Sequence, residues 1–288
     1  MNQKLVAIFL GAVVIVAAMI TMYRYLAWDI REPELVLLEV DGEVRLTNPT
    51  EEVKAAVGRT LLPEDRVATG QEARAVLGLG SETRIRLGAS STVQVRSVDE
   101  EGVRLELENG ALHAIVRSES GAVRVGNRNR EVLSTNGEFE FGARDGMIAI
   151  NAIAGELMMA GVDGVRMEAG SRATISNGHA EIGPIPDELL LDVAWPESLK
   201  KVRDESYAVE GKTAPGANVT ISGEFGANDV VADREGVFRA VVPLKEGDNT
   251  VTIQAVDLLG NLVDVTGFLP TRDTKGPQTY KIGVEYDR

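Results

Sequence analysis

Two histidines, His113 and His179, and no cysteine at all leave this 288-residue chain few side chains for nucleophilic, redox or transition-metal chemistry. His113 lies in the alternating stretch Ala111-Leu112-His113-Ala114-Ile115, and His179 follows the turn pair Asn177-Gly178. Neither belongs to an HExxH pattern, and the chain has no GxSxG elbow and no phosphate-binding loop. Paired carboxylates of the glycosidase kind need a cleft and aromatic sugar platforms, and aromatics make up only 5% of the residues. The expectation is a protein without catalytic activity and without a cofactor. The single metal candidate is structural Ca²⁺, held by oxygen ligands drawn from Asp229, Asp233, Asp248, Asp257 and Asp264, although these follow no EF-hand or nonapeptide spacing.

Binding chemistry is better represented. Arg84, Arg86, Arg96, Arg104, Arg117, Arg124, Arg128 and Arg130 crowd one region in which Lys54 is the only lysine between positions 35 and 185. Planar guanidinium groups bind carboxylates in bidentate fashion, so Arg84 and Arg86 are candidates for contact with acidic groups of a protein partner or of peptidoglycan. The competing expectation is a solvent-facing ladder paired with Glu106, Glu108, Glu138 and Glu140. A second candidate surface is apolar. Leu189, Leu190, Leu191, Val193 and Trp195 are bracketed by Pro184, Pro186 and Pro196, which break any long helix or central strand. These side chains either meet a partner or seal a joint between domains. The net charge of −14 excludes nucleic acid as the partner, because phosphate neutralisation needs a dense basic surface.

The elements that would carry these residues are strands. In Thr83-Arg84-Ile85-Arg86-Leu87 and Val103-Arg104-Leu105-Glu106-Leu107 the period-two alternation puts apolar residues on one face and charges on the other. Asp41-Gly42, Thr69-Gly70, Asn109-Gly110, Asn136-Gly137, Asp145-Gly146, Asp163-Gly164 and Asn177-Gly178 each read as a chain reversal. One helix is expected, from Thr50 to Val57. The fold class is mainly β: residues 35–185 form a stacked or solenoid-like β domain, 186–204 a proline-rich linker, 205–272 a small sandwich of immunoglobulin type, and 273–288 a tail.

Ahead of these, Leu5 to Met22 runs uncharged for a length that spans roughly 27 Å as a helix, and Tyr23, Tyr25 and Trp28 follow where an interfacial belt would sit. Residues 1–34 are therefore expected to be a single-pass anchor and juxtamembrane segment, with residues 5–22 in a bacterial inner membrane, the amino terminus cytoplasmic and the bulk periplasmic. The alternative is a signal peptide cleaved near Val16-Ala17-Ala18.

Leu62-Pro63-Glu64-Asp65-Arg66-Val67-Ala68-Thr69-Gly70, the strand Thr83 to Leu87, Leu133 to Phe141 and Ile153-Ala154-Gly155-Glu156-Leu157 together resemble the FecR domain over about residues 36–182. Residues 206–270 resemble bacterial Ig-like modules, through Val209 to Ala217, Gly236-Val237-Phe238 and Glu246 to Val251. The resemblance implies a periplasmic β domain that contacts proteins or the envelope. Its best-known members couple an outer-membrane receptor to a sigma factor through a cytosolic domain placed before the membrane span. Only Met1 to Lys4 precede the apolar run here, so the expectation is a non-enzymatic envelope scaffold that binds a membrane or envelope protein complex. Its alternative is a carbohydrate- or peptidoglycan-binding accessory protein, and sigma-factor regulation is disfavoured.

Overall fold

The computed structural model describes residues 15–22, 33–128, 130–160, 164–176, 179–196 and 201–274. Residues 15–22 are helical; the remainder of the expected anchor lies outside the described residues, as do Asp163 and the pair Asn177-Gly178. Among the described residues no helix is long and apolar enough to cross a membrane.

The first sixteen strands are β1 (Leu35–Asp41), β2 (Val44–Thr47), β3 (Glu52–Lys54), β4 (Thr60–Leu61), β5 (Arg66–Thr69), β6 (Arg74–Leu79), β7 (Thr83–Leu87), β8 (Thr92–Asp99), β9 (Gly102–Val116), β10 (Ala122–Asn127), β11 (Arg130–Ser134), β12 (Gly137–Arg144), β13 (Met147–Ala160), β14 (Val165–Glu168), β15 (Ser171–Ser176) and β16 (His179–Pro184). They form two stacked layers. The first runs β4-β1-β6-β7-β9-β12-β13-β15-β16, and the second β3-β2-β5-β8-β9-β10-β11-β13-β14. Strands β9 and β13 belong to both because each passes from one layer to the other. In β9, Asn109 still pairs with Thr92 in the second layer, whereas Gly110 pairs with Ala143 in the first. In β13 the crossing falls between Gly155 and Glu156. Alternation does the rest: the inward residues of both layers, among them Leu35, Leu77, Ile85, Leu105, Val125, Phe139 and Phe141, form one continuous core.

Two local expectations are corrected. Asn109-Gly110 does not reverse the chain; it is the layer crossing inside a 15-residue strand. The helix expected from Thr50 to Val57 is instead the hairpin strand β3, paired with β2. The turn between them is closed by the Asn48 amide, which donates to the Glu51 carbonyl at 2.9 Å, and by the Asn48 side-chain oxygen, which accepts from the Thr50 and Glu51 amides at 2.9 Å each.

The crease where the layers meet is built from small residues whose side-chain hydrogen bonds add to backbone bonds from the Thr69 amide to the Ser91 carbonyl and from the Gly88 amide to the Ala111 carbonyl, both at 2.9 Å. The Thr69 hydroxyl donates to the Gly88 carbonyl at 2.6 Å and accepts from the Ser91 amide at 2.9 Å. The Ser91 hydroxyl in turn donates to the Ala111 carbonyl and accepts from the Ala111 amide, both at 3.0 Å. Ser91 is fully buried, so these are obligatory bonds. Replacing Ser91 with alanine leaves the Ala111 amide without its acceptor and is expected to lower stability by about 1–3 kcal/mol, read as a lower urea midpoint at unchanged slope. An unmoved midpoint would show that the crease does not depend on this hydroxyl.

The remaining strands are β17 (Leu191–Val193), β18 (Ser206–Thr213), β19 (Asn218–Gly223), β20 (Gly226–Val231), β21 (Val237–Pro243), β22 (Gly247–Val256) and β23 (Leu262–Arg272). They make a three-stranded sheet, β17-β18-β21, and a four-stranded sheet, β20-β19-β22-β23. Val209, Phe238 and Val242 from the one and Val219, Ile221, Val251 and Ile253 from the other share a second core. The segment expected as a linker thus supplies β17, an edge strand of this second unit, which is where a proline-bracketed run of three residues can pair.

Candidate functional site

The second layer presents Arg66, Arg96, Arg104 and Arg124 on its outer side, and carboxylates meet them. Arg96 reaches Glu106 at 2.5 Å, Arg104 reaches Glu131 at 2.5 Å, Arg66 reaches Glu108 at 2.6 Å and Arg124 reaches Glu101 at 3.0 Å. Of the acids named from sequence, Glu106 and Glu108 pair with arginine, whereas Glu138 meets His113 at 2.8 Å and Glu140 accepts from Asn151. Exposed pairs of this kind contribute little, so Arg104→Ala is expected to cost at most about 1 kcal/mol in a denaturation experiment. Among the described residues Arg84 meets no carboxylate; it donates to the carbonyls of Thr83 at 2.9 Å and Ser81 at 2.8 Å. Arg86 is exposed on the first layer.

That first layer carries the most organised polar group of the described residues. Arg86, His113, Glu140, Asn151 and Arg172 are successive register neighbours across β7, β9, β12, β13 and β15, so their side chains share the outer face. Asn151 donates to Glu140 at 2.8 Å and accepts from Arg172 Nε at 2.8 Å. Arg172 then leaves the layer and pairs with Asp257 of the second unit at 3.1 Å. Only 14% of the Arg172 side chain and 3% of that of Asp257 are exposed. The Asp257 carboxylate also accepts from the Leu259 and Asn261 amides and from the Asn261 side chain, all at 2.9 Å. Every lone-pair direction of this buried charge is therefore used, as burial requires.

Around the pair, Met147 and Ala149 pack on Leu258 in a small apolar cluster of their own. Gly142 permits the approach: a Cβ there would sit 2.2 Å from the Leu258 carbonyl oxygen. Arg144 donates to Asn218 Oδ1 at 2.7 Å and to the Gly216 carbonyl at 3.1 Å. Burial pushes the Arg144 guanidinium below its ordinary value, against the opposing charge of Asp145, yet a guanidinium stays protonated at neutral pH. The candidate site is this joint, where the two β units are tied by a buried ion pair, a half-buried arginine and a sealed apolar contact.

The apolar residues singled out from sequence are divided. Leu189, Leu191 and Trp195 pack on the second core, with the Trp195 ring against Gly267, while Leu190 is 57% exposed. The calcium candidates are dispersed. Asp229 accepts from Thr220, Asp233 caps the Glu235 and Val237 amides, Asp248 accepts from Thr271 and Asp257 holds Arg172. Among the described residues no three of His, Cys, Asp or Glu are grouped to hold a metal ion. Sequence reasoning missed Asn151 and Arg172. A signal for Asn151 was present, since it is the lone polar residue in Met147 to Ala154, a run otherwise apolar.

The class this defines is a two-layer β sandwich joined to a smaller two-sheet unit. Residues 65–158, within the sandwich, match the family described as FecR protein. Two crystal structures of a proposed anti-sigma factor from Parabacteroides distasonis are similar at 16% identity and a TM-score of 0.36, covering 41% of this chain and 59% of theirs. No curated protein matches in sequence. The family match corrects the expectation of an envelope scaffold in which sigma-factor regulation is disfavoured, with glycan binding as its alternative. The disfavouring of sigma-factor regulation was drawn from the few residues before the apolar run, whereas the match lies wholly in the sandwich.

Proposed function

We propose that this protein is a regulator of the FecR type, whose β sandwich takes part in controlling a sigma factor through contact with a protein partner. The observation that carries the reading is the FecR match over residues 65–158. In this reading residues 5–22 anchor the chain in the inner membrane, the β units are periplasmic and no catalytic step is involved. The second unit is read as Ig-like, on the support of seven strands in sheets of three and four around one core. The test is transcript profiling of cells lacking the protein, cells restored with the full chain and cells overproducing it. A coherent set of transcripts from promoters of one alternative sigma factor should shift in the first and return in the second. Profiles that are the same in all three strains would overturn the reading.

A further inference from the structure

A cleft of about 500 Å³ lies over the Arg172–Asp257 pair, with residues 185–189 as one wall and residues 261–264 as the other. Both walls are pinned. The Ile185 amide donates to the Gly170 carbonyl at 2.8 Å, the Leu190 carbonyl accepts from Thr213 at 2.7 Å, and the Asn261 amide is held by Asp257. The cleft is therefore formed in advance of any occupant, which lowers the ordering cost of binding.

Its chemistry is unbalanced. Asp187, Glu188 and Asp264 line it, are exposed, and form no ion pair with any described residue. Arg172 does not neutralise them, because its guanidinium is engaged below by Asp257 and Asn151. On the second layer, by contrast, Glu101, Glu106, Glu108 and Glu131 each have an arginine. Between the free acids lie Leu189, Leu262 and Val263. Leu262 and Val263 open β23, the outermost strand of its sheet; Val202 bonds to the far end of that strand at Thr271 and Asp273, and among the described residues no strand pairs along the edge at Leu262 and Val263. An open edge flanked by apolar side chains and free carboxylates fits an extended chain that adds backbone bonds, apolar contact and positive charge.

We propose that this cleft docks a basic extended segment of a protein partner, with lysine or arginine side chains on Asp187, Glu188 and Asp264 and apolar neighbours on Leu189, Leu262 and Val263. A second copy of this chain, with a net charge of −14, is repelled by the same carboxylates. Docking here requires nothing of sigma-factor control, so the two readings fail separately.

The probe is a capped, dye-labelled Lys-Val-Lys-Val-Lys peptide, titrated into the full chain in detergent and followed by anisotropy. Saturable binding that weakens with salt is expected. The triple variant Asp187→Asn, Glu188→Gln, Asp264→Asn should lose about tenfold in affinity, the sum expected of three exposed charge pairs. The control variant Glu51→Gln, Glu72→Gln, Glu100→Gln removes the same net charge from exposed acids elsewhere and should bind as the unmodified protein does. Equal losses in the two variants would show attraction to the overall charge and overturn the proposal, as would binding without saturation or equal binding of Glu-Val-Glu-Val-Glu. All six positions are exposed, and matching melting curves confirm that the variants are folded.

Discussion

Gly110→Val is expected to lower the stability of the sandwich by about 3 kcal/mol. Gly110 has a φ of +95°, and a Cβ there would lie 2.3 Å from the Ser91 hydroxyl and 2.5 Å from the Ser91 Cα. The backbone conformation alone costs a β-branched residue roughly 1–2 kcal/mol, and forcing the crease apart adds about 1–3 kcal/mol. Ser91 cannot move aside freely, because its hydroxyl holds both backbone groups of Ala111. In a domain of this size the loss corresponds to a fall of roughly 6–12 °C in Tm. Gly58→Val separates the two causes. Gly58 has a φ of +84° but nothing within 4 Å of its would-be Cβ, so only the backbone cost of about 1–2 kcal/mol remains. Equal losses at the two positions would show that the close packing of the crossing does not matter.

The same residue shows how far the sequence could be read. Alternation identified the strands Thr83 to Leu87 and Val103 to Leu107 because each buries one face, and that signal is local. The pair Asn109-Gly110 carries the positive φ that a reversal needs, but the same φ also lets a strand turn from one layer into the next. Only pairing with Thr92 on one side and Ala143 on the other distinguishes the two outcomes. At Thr50 to Val57, composition favoured a helix, whereas pairing of Glu52–Lys54 with β2 makes a hairpin strand, a long-range outcome that local composition does not record. The candidate joint was the least legible part. Arg172 and Asp257 stand 85 positions apart, and neither sits in a motif. Their burial follows from the way β15 and the loop after β22 are brought together, which no local pattern records. Proline spacing shows that the apolar run Leu189 to Trp195 cannot form a long helix or central strand, but not that Leu191, Val193 and Trp195 pack with strands farther along the chain.

The joint carries the second large effect. Arg172→Met is expected to cost about 3–5 kcal/mol, because it strands the Asp257 carboxylate, 3% exposed, without its cation. The loss should fall on the association of the two units rather than on either core, since Arg172 points out of the sandwich and Asp257 lies in a loop. Calorimetry should therefore show one transition for the intact protein and two for the variant, the apolar contact of Met147 and Ala149 with Leu258 being too small to couple the units alone. Adding Asp257→Asn to the Arg172→Met variant should recover part of the loss. The amide oxygen can still accept from the Leu259 and Asn261 amides, and no bare charge remains buried. A variant in which Arg172→Met melts in one transition within about 0.5 kcal/mol of the intact protein would mean that water reaches the pair and that Arg144 and the apolar contact suffice. Recovery in the double variant, with failure in the single one, would place the coupling of the two β units on this one buried charge.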